Sequence, residues 1–287
     1  MSARSFKLSA AVISAAMLVW FSGAVIGFPV HAQPENRLKI VATTTLIAEI
    51  VQELGGDAVR VATMISPATC PGHFDVTLDD MKLLSHAQIF LLHCWQGRRF
   101  GEDIIRASGN RTLKRVVLEE KGNWMVPAVQ TAATDRIVAV LVEADPAHAD
   151  VYRTAGERRK AEVQRVGSAQ AKRLREADTG SIAVLANDMQ ADMIRWAGFQ
   201  IVGTFGRGED MSPRDMQANI RQGRAKSVRL VVDNLQSGKQ AGIIIAKEIG
   251  AEQVTLSNFP GALPDTGSWA KAFEKNVDLL LAAIGKP

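Results

Sequence analysis

Residues 69–75 read TCPGHFD, and they place a thiol and an imidazole on one tight turn. Cys70 and His73 are three residues apart, and the Pro71-Gly72 pair between them favours a turn. Zinc accepts cysteine sulfur, histidine nitrogen and carboxylate oxygen in a tetrahedral array, so the segment could supply two metal ligands. It is equally compatible with one half of a disulfide beside an incidental polar loop residue.

A second pair of the same type stands further along the chain. His93 ends a short apolar run, and Cys94 follows it. Cys70 and Cys94 are the 2 cysteines of the chain, and they could act as metal thiolates, form one disulfide between two loops, or be inert. Sulfur ligands would favour zinc or copper over manganese. His86 and His148 are interpreted as solvated helix residues.

Alternating strand-type and helix-type segments must position these side chains. Strands are predicted at 38–44, 58–65, 89–93, 114–119, 181–186, 199–206, 228–233 and 252–257. A charged, helix-prone segment at 146–177 divides them into two series, and as a helix it would span about 45 Å. The pattern predicts the α/β class, with two parallel-sheet lobes joined by a long linking helix and a ligand cleft between the lobes.

The polar candidates fall at the predicted strand ends. Ligands of parallel α/β sheets bind beyond the carboxyl ends of the strands, and both Cys-His pairs leave first-lobe strands there. In the second lobe, Asn187, Asn234 and the loop at 258–265 follow strands in the same way. A cleft lined from both lobes commonly encloses a small ligand.

The start of the chain indicates export. Arg4 and Lys7 precede an uncharged apolar run at 8–25, and Val30 and Ala32 supply small residues before a cleavage site, as in a secretory signal peptide. Without cleavage, the segment would act as a membrane tether. The predicted divisions are a signal peptide at 1–32, an N-terminal lobe at 33–126, a helical segment with the linking helix at 127–179, and a C-terminal lobe at 180–287.

Charge and motifs narrow the classes of partner. The formal net charge is +4, and Arg4 and Lys7 carry two of those charges, so the surplus left after cleavage is too small to indicate nucleic acid. The chain has no glycine-rich phosphate signature and no nucleophile elbow. No catalytic residues and no organic cofactor are therefore predicted.

Three stretches together resemble one known family. Residues 38–67 (LKIVATTTLIAEIVQELGGDAVRVATMISP), 71–93 (PGHFDVTLDDMKLLSHAQIFLLH) and 246–261 (AKEIGAEQVTLSNFPG) are similar to metal-binding solute receptors of ABC importers for zinc and manganese. The resemblance runs from about Leu38 to the end of the chain. It implies a monomeric periplasmic receptor, not an enzyme, that captures a divalent transition metal between its lobes and delivers it to an ABC-type membrane permease.

The resemblance also implies a ligand set that this chain retains only in part. The first ligand histidine of the family maps onto His73, and the carboxylate of the last rim loop maps onto Asp265. The slots of two further histidines fall on Gly122 and Asn187, which cannot replace them directly. With the two other candidates added, the predicted metal ligands are His73, Cys70, His93 and Asp265, and zinc is the favoured metal.

Two alternatives stay open at this point. The loss of two histidines is compatible with a receptor for a metal chelate or a small organic molecule. An incomplete ligand set is also what a metal-dependent hydrolase with an open zinc position would present, although no acid/base pair accompanies it here.

Overall fold

The structure is a computed structural model that describes residues 37–97, 100 and 102–285. The segment Asn36–Pro287 forms one compact unit, and the predicted signal peptide at 1–32 lies outside the described residues. Among the helices that the structure describes, none has both the length and the apolar character of a membrane span.

The first sheet positions both Cys-His pairs. It has four parallel strands in the order β2-β1-β3-β4: β1 (Leu38–Ala42), β2 (Val59–Thr63), β3 (Ile89–His93) and β4 (Lys114–Leu118). β3 is buried at every position, as expected of a strand covered on both faces. β2, in contrast, lies at the edge of the sheet, and its last three residues are only half-buried.

The second sheet repeats this topology. It has four parallel strands in the order β6-β5-β7-β8: β5 (Ala183–Asn187), β6 (Gln200–Phe205), β7 (Leu230–Asn234) and β8 (Glu252–Leu256). The strand order reverses between β1 and β3 in one lobe and between β5 and β7 in the other. Doubly wound sheets bind ligands at such switch points, so each lobe offers one.

Helices follow the strands and cover both sheets, as the alternating pattern predicts. They are α1 (Thr45–Gly55), α2 (Leu78–His86), α3 (Glu102–Ala107), α4 (Pro127–Ala144), α5 (Ala149–Glu176), α6 (Ala191–Trp196), α7 (Pro213–Ala225), α8 (Gln240–Ile249) and α9 (Trp269–Ile284). The N-cap of α2 forms a capping box, in which Asp80 N donates to Thr77 Oγ1 and Thr77 N donates to Asp80 Oδ2.

The predicted long helix is α5, whose 28 residues follow a 3-10 turn at Pro146–His148. Two glycines let it approach α4 closely. A Cβ at Gly156 would lie 2.7 Å from Val138 Cγ2, and one at Gly167 would lie 2.8 Å from Pro127 Cγ. Larger side chains there would force the two helices apart.

A buried ionic cluster ties α5 to the first lobe. The side chain of Arg159, almost fully buried, donates to Gln130 Oε1 at 2.9 Å and pairs with Glu49 and Glu53 of α1. Burial is the main cause that raises the pKa of Glu49 to about 7. Glu49 also accepts from the backbone N–H of Trp269 at 2.7 Å, so the cluster reaches α9.

One apolar core runs through both lobes. It includes Ile47 of α1, Leu141 of α4, Val163 of α5 and Phe273 of α9, together with the inner faces of both sheets. One smaller apolar cluster fills the outer side of each sheet. The predicted fold class, two parallel-sheet α/β lobes joined by a long helix, is confirmed.

Candidate functional site

A cavity of about 370 Å³ lies between the two lobes at both switch points. The first lobe contributes Leu46, Cys70, Pro71, Gly72, His93, Trp95, Gly122, Asn123 and Trp124 to its wall. The second lobe contributes Asp188, Met189, Asp192, Arg207, Asn234, Gln236, Ser237, Asn258 and Phe259. The predicted cleft between the lobes is therefore present, and residues that follow strands line it from both sides.

His93 forms the floor of the cavity on the first-lobe side. Only 1% of the residue is exposed, and its Nε2 lies 2.8 Å from Thr44 Oγ1. Its ring stacks on Trp95 at 5.2 Å between centroids and meets Trp124 edge-on at 4.2 Å. Burial lowers the pKa of His93 to about 3, so the imidazole is neutral.

The loop after β3 is held by a small polar network. Gln96 Oε1 accepts from Thr43 Oγ1 at 2.6 Å and from the backbone N–H of His93 at 3.0 Å. Thr43 and Thr44 directly follow β1, and Gln96 follows β3. The network therefore joins the two strands at the switch point of the first sheet. It fixes His93 from its backbone as well as from its ring.

Both cysteines are free thiols, so the structure does not contain the disulfide of the alternative reading. Cys70 is half-buried and lines the cavity. Cys94 is not among the lining residues, and its Sγ lies 3.9 Å from the backbone carbonyl of Glu120. The two cysteines therefore have different surroundings although each stands beside a candidate histidine.

His73 lies at the rim, outside the cavity wall. Its side chain is 58% exposed, and Nε2 lies 3.0 Å from Glu209 Oε1 of the second lobe. Its neighbour Gly72 does line the cavity, and a Cβ at Gly72 would lie 2.7 Å from Arg207 Nη2. The 3-10 turn at Pro71–His73 therefore places Gly72 against the side chain of Arg207 and His73 against that of Glu209.

Asp265 is exposed, at a positive φ of 61°, in the loop that follows β8. It is not among the lining residues, whereas Asn258 and Phe259 of the same loop are. The four predicted ligands are therefore not gathered at one point: Cys70 and His93 reach the cavity, and His73 and Asp265 do not. Their role as metal ligands stays a prediction.

The residues at the two positions where the family has further histidines do not restore the ligand set. Gly122 lines the cavity with a positive φ of 93°. Asn187 is buried, and its side chain accepts from Met189 N at 3.0 Å and donates to the carbonyl of Gly206 at 3.3 Å. Within the described part of the chain, no three His, Cys, Asp or Glu residues form a group that could hold a metal ion.

Side-chain amides join the lobes around the cavity. Asn123 Nδ2 donates to Asn258 Oδ1 and to the carbonyl of Met189, both at 2.8 Å, and its backbone N–H donates to Asp192 Oδ2 at 3.1 Å. Within the second lobe, Gln190 Nε2 donates to the same Asn258 Oδ1 at 2.9 Å. Asn123 was missed by sequence reasoning, although its place directly after the Gly122 slot was a usable signal.

Two further hydrogen bonds cross between the lobes. Gln236 Nε2 donates to the carbonyl of Pro67 at 2.8 Å, and Thr45 Oγ1 donates to the carbonyl of Pro260 at 2.9 Å. Gln236 is not one of the four metal ligands predicted from the sequence. Its contacts place it in the interface between the lobes as well as on the cavity wall.

Comparison with known proteins now decides the family. The model of the family "Zinc-uptake complex component A periplasmic" matches residues 40–283. The chain belongs to this family. Its members are solute-binding receptors of ABC importers, so the resemblance to zinc and manganese receptors read from the sequence is confirmed.

Individual relatives agree with this assignment. The manganese-binding lipoprotein MntA of Bacillus subtilis (strain 168) is 25% identical over 281 residues, which cover 87% of this chain and 90% of the relative. A zinc-bound deletion mutant of ZnuA matches the fold with a TM-score of 0.72 at 18% identity, over 88% of this chain and 99% of its own. The manganese-bound periplasmic metal binding protein of Candidatus Liberibacter asiaticus matches the fold with a TM-score of 0.71 at 16% identity. The match covers 85% of this chain and 98% of that protein.

Proposed function

We propose that this family member captures a divalent transition metal in the cavity between its lobes and delivers it to the permease of an ABC importer. The observation that carries the proposal is the cavity, which is lined by residues from the switch points of both sheets. The chain that contains it belongs to a family of metal receptors. A receptor of this kind performs no turnover.

Two of the donors on the cavity wall favour zinc over manganese, and they stand beside the carboxylates of Asp188 and Asp192 on the same wall. Cys70 offers a sulfur and His93 a neutral imidazole, and both are ligands that zinc prefers, whereas manganese prefers carboxylate and water oxygen. Among the relatives, one structure is described as zinc-bound and another protein as manganese-binding. The preference for zinc therefore rests on the donors of this chain.

Cargo uptake in this arrangement needs only small movements. The common core through α1, α4, α5 and α9 and the hydrogen bonds around Asn123 and Gln236 resist a wide opening of the lobes. Small lobe shifts and rearrangement of the rim loops are therefore the proposed route of entry and release. His93 binds without losing a proton because its ring is already neutral, whereas a Cys70 thiolate must release one.

The remaining parts of the proposal follow from the sequence. The signal at 1–32 exports the receptor to the periplasm, or tethers it to the membrane if it stays uncleaved. The lobes act within one monomer, and nucleic acid is not a partner. The lobe boundaries near 126 and 180 stay predictions.

Elemental analysis of the untagged protein, purified from the periplasm without added metal, tests the proposal. We expect about one zinc per chain, less in Cys70→Ser, and an unchanged content in His86→Ala, whose exposed side chain lies on α2 away from the cavity. A chain purified repeatedly without zinc, manganese or copper would contradict the proposal. Hydrolytic turnover that depends on bound metal would instead support the enzyme alternative.

A further inference from the structure

A cationic side chain stands in the wall of the cavity that is proposed to take a metal ion. Arg207 is the one lysine or arginine among the described lining residues, and its side chain is 27% exposed. A guanidinium stays protonated in proteins, so Arg207 is charged whenever cargo enters. An entering metal ion is therefore repelled by this part of the wall unless a negative charge lies between the two cations.

The guanidinium of Arg207 has no close acceptor among the described residues. None of them accepts a hydrogen bond from it, and its ion pair with Glu209 Oε1 spans 4.0 Å. The same Glu209 oxygen lies 3.0 Å from His73 Nε2, so it is already engaged at the rim. The planar fork of N–H donors on a guanidinium matches the two oxygens of a carboxylate. Arg207 thus presents unused donors of this type to the cavity.

Two candidate metal donors stand next to this guanidinium. A Cβ at Gly72 would lie 2.7 Å from Arg207 Nη2, and Cys70 begins the same turn. On the other side, a Cβ at Gly206 would lie 3.8 Å from Asp188 Oδ2. The carboxylate of Asp188 lines the cavity, and no described residue donates a hydrogen bond to it. A metal ion bound by Cys70 or Asp188 would therefore lie close to the guanidinium.

A hydroxyl adds a further donor on the second-lobe side of the cavity. Ser237 lines the wall just before α8, and its Oγ accepts from Asn234 Nδ2 at 2.8 Å, so its own proton is left to donate. A Cβ at Gly208 would lie 3.7 Å from Ala241 N, in the first turn of α8. The segment that carries Arg207 thus packs against the start of the same helix, and both donors belong to one side of the cavity.

We propose that Arg207 holds a small carboxylate-type oxyanion that binds together with the metal. One oxygen of the anion pairs with the guanidinium and the other binds the metal, so the anion cancels the repulsion between the two cations and adds a ligand. The inference rests on the proposed function, since it assumes that the cargo is a transition metal. By thermodynamic linkage, the metal and the anion raise each other's affinity by the same factor.

Zinc titration of the reduced apoprotein, with and without a small oxyanion, tests the inference. Zinc perchlorate is titrated by calorimetry in sodium perchlorate, or with part of that salt replaced by sodium formate or sodium bicarbonate at the same ionic strength. After correction for zinc bound by the anion in solution, we expect one of the two anions to tighten zinc binding at least about 5-fold, as one charge-assisted contact would. A response to formate indicates a carboxylate, and a response to bicarbonate alone indicates carbonate.

Arg207→Gln should lose this response to the anion. In perchlorate alone it should bind zinc as tightly as wild type or more tightly, because the repulsion is gone. A residue that only supports the fold would not give this combination. Arg224→Gln is the matched control, since Arg224 is exposed on α7 and pairs with Glu248 away from the cavity. It should respond to the anion as wild type does, and thermal melting of each variant controls for folding.

The other outcomes separate the inference from the proposed function. A smaller response in wild type, or a response that survives in Arg207→Gln, would overturn the inference and leave the metal receptor standing. Weaker zinc binding by Arg207→Gln in perchlorate alone would indicate a structural role and would also overturn the inference. No binding of zinc, manganese or copper in any of the three solutions would overturn the proposed function together with the inference.

Discussion

The turn at residues 70–73 and the strand end at His93 and Cys94 both carry a cysteine and a histidine at the carboxyl edge of the first sheet. His93 is buried on the cavity floor, whereas His73 is exposed at the rim and pairs with Glu209. The difference follows from the strands. β3 is hydrogen-bonded to β1 on one side and to β4 on the other, so the sheet fixes the direction of the side chain at its end. The turn, in contrast, follows the edge strand β2.

The comparison teaches that a pair of suitable residue types is not yet a site. At the strand end the backbone fixes the direction of the histidine, and Gln96 and Thr44 hold it there. In the turn, Gly72 takes the position on the cavity wall, and His73 is left exposed at the rim, where it pairs with Glu209. Four experiments probe this contrast, in order of expected effect.

Replacement of the floor histidine should have the largest effect. We expect His93→Ala to lower the free energy of unfolding by about 2–4 kcal/mol, because it leaves a cavity between Trp95 and Trp124 and removes the partner of Thr44. His73→Ala should lower it by less than about 0.5 kcal/mol. Urea denaturation of the two variants measures both values, and equal losses would remove the contrast.

The pH dependence of stability should reflect the neutral state of His93. Its folded pKa of about 3 is below the usual 6.5, so the unfolded chain takes up the proton first. The contribution of His93 to stability is present above about pH 6.5 and declines toward pH 3, by at most about 1.4 kcal/mol per pH unit. Urea denaturation of wild type and His93→Gln across this range measures the difference in slope.

Two buried carboxyls act in the opposite sense and must be separated from His93. Burial raises the pKa of Glu49 to about 7 and that of Asp233 to about 6, so over the upper part of this range the folded chain takes up their protons first. Both groups are present in wild type and in His93→Gln, and they cancel in the difference. Parallel curves for the two proteins would show that folding does not change the pKa of His93.

The two cysteines should differ in their effect on cargo. We expect Cys70→Ser to weaken binding of zinc about fivefold, because Cys70 lines the cavity. Cys94→Ser should leave affinity unchanged, because its sulfur lies against the carbonyl of Glu120. Calorimetry measures both, and thiol titration of the metal-free protein should count two free thiols. A count of zero would show a disulfide in place of the free thiols.

Disruption of the rim pair should have the smallest effect. Glu209→Gln removes an exposed pairing with His73, which contributes less than about 0.5 kcal/mol in typical cases. Urea denaturation and zinc titration should both be nearly unchanged. If His73→Ala instead weakens zinc binding strongly, the turn brings its histidine inward in the cargo-bound receptor, and the contrast holds only for the free protein.

The site could be predicted only in outline. The placement of the candidates at the carboxyl ends of the strands followed from the alternation of strands and helices, and Cys70 and His93 do line the cavity. Asn123 and Trp95 did not stand out, because their importance comes from contacts across the lobes and from a stacked neighbour far from any motif. The direction of His73 depends on Glu209, which is more than a hundred residues away.

By itself the sequence determined the class of fold, since apolar periodicity, caps and turn residues act over a few neighbouring positions. All eight strands and the long helix α5 lie where those local signals predict them. The tertiary structure alone decided which polar side chains share the cavity, because that depends on two sheets meeting through one core. It also decided that His93 is neutral, since its state comes from burial between residues of three separate segments.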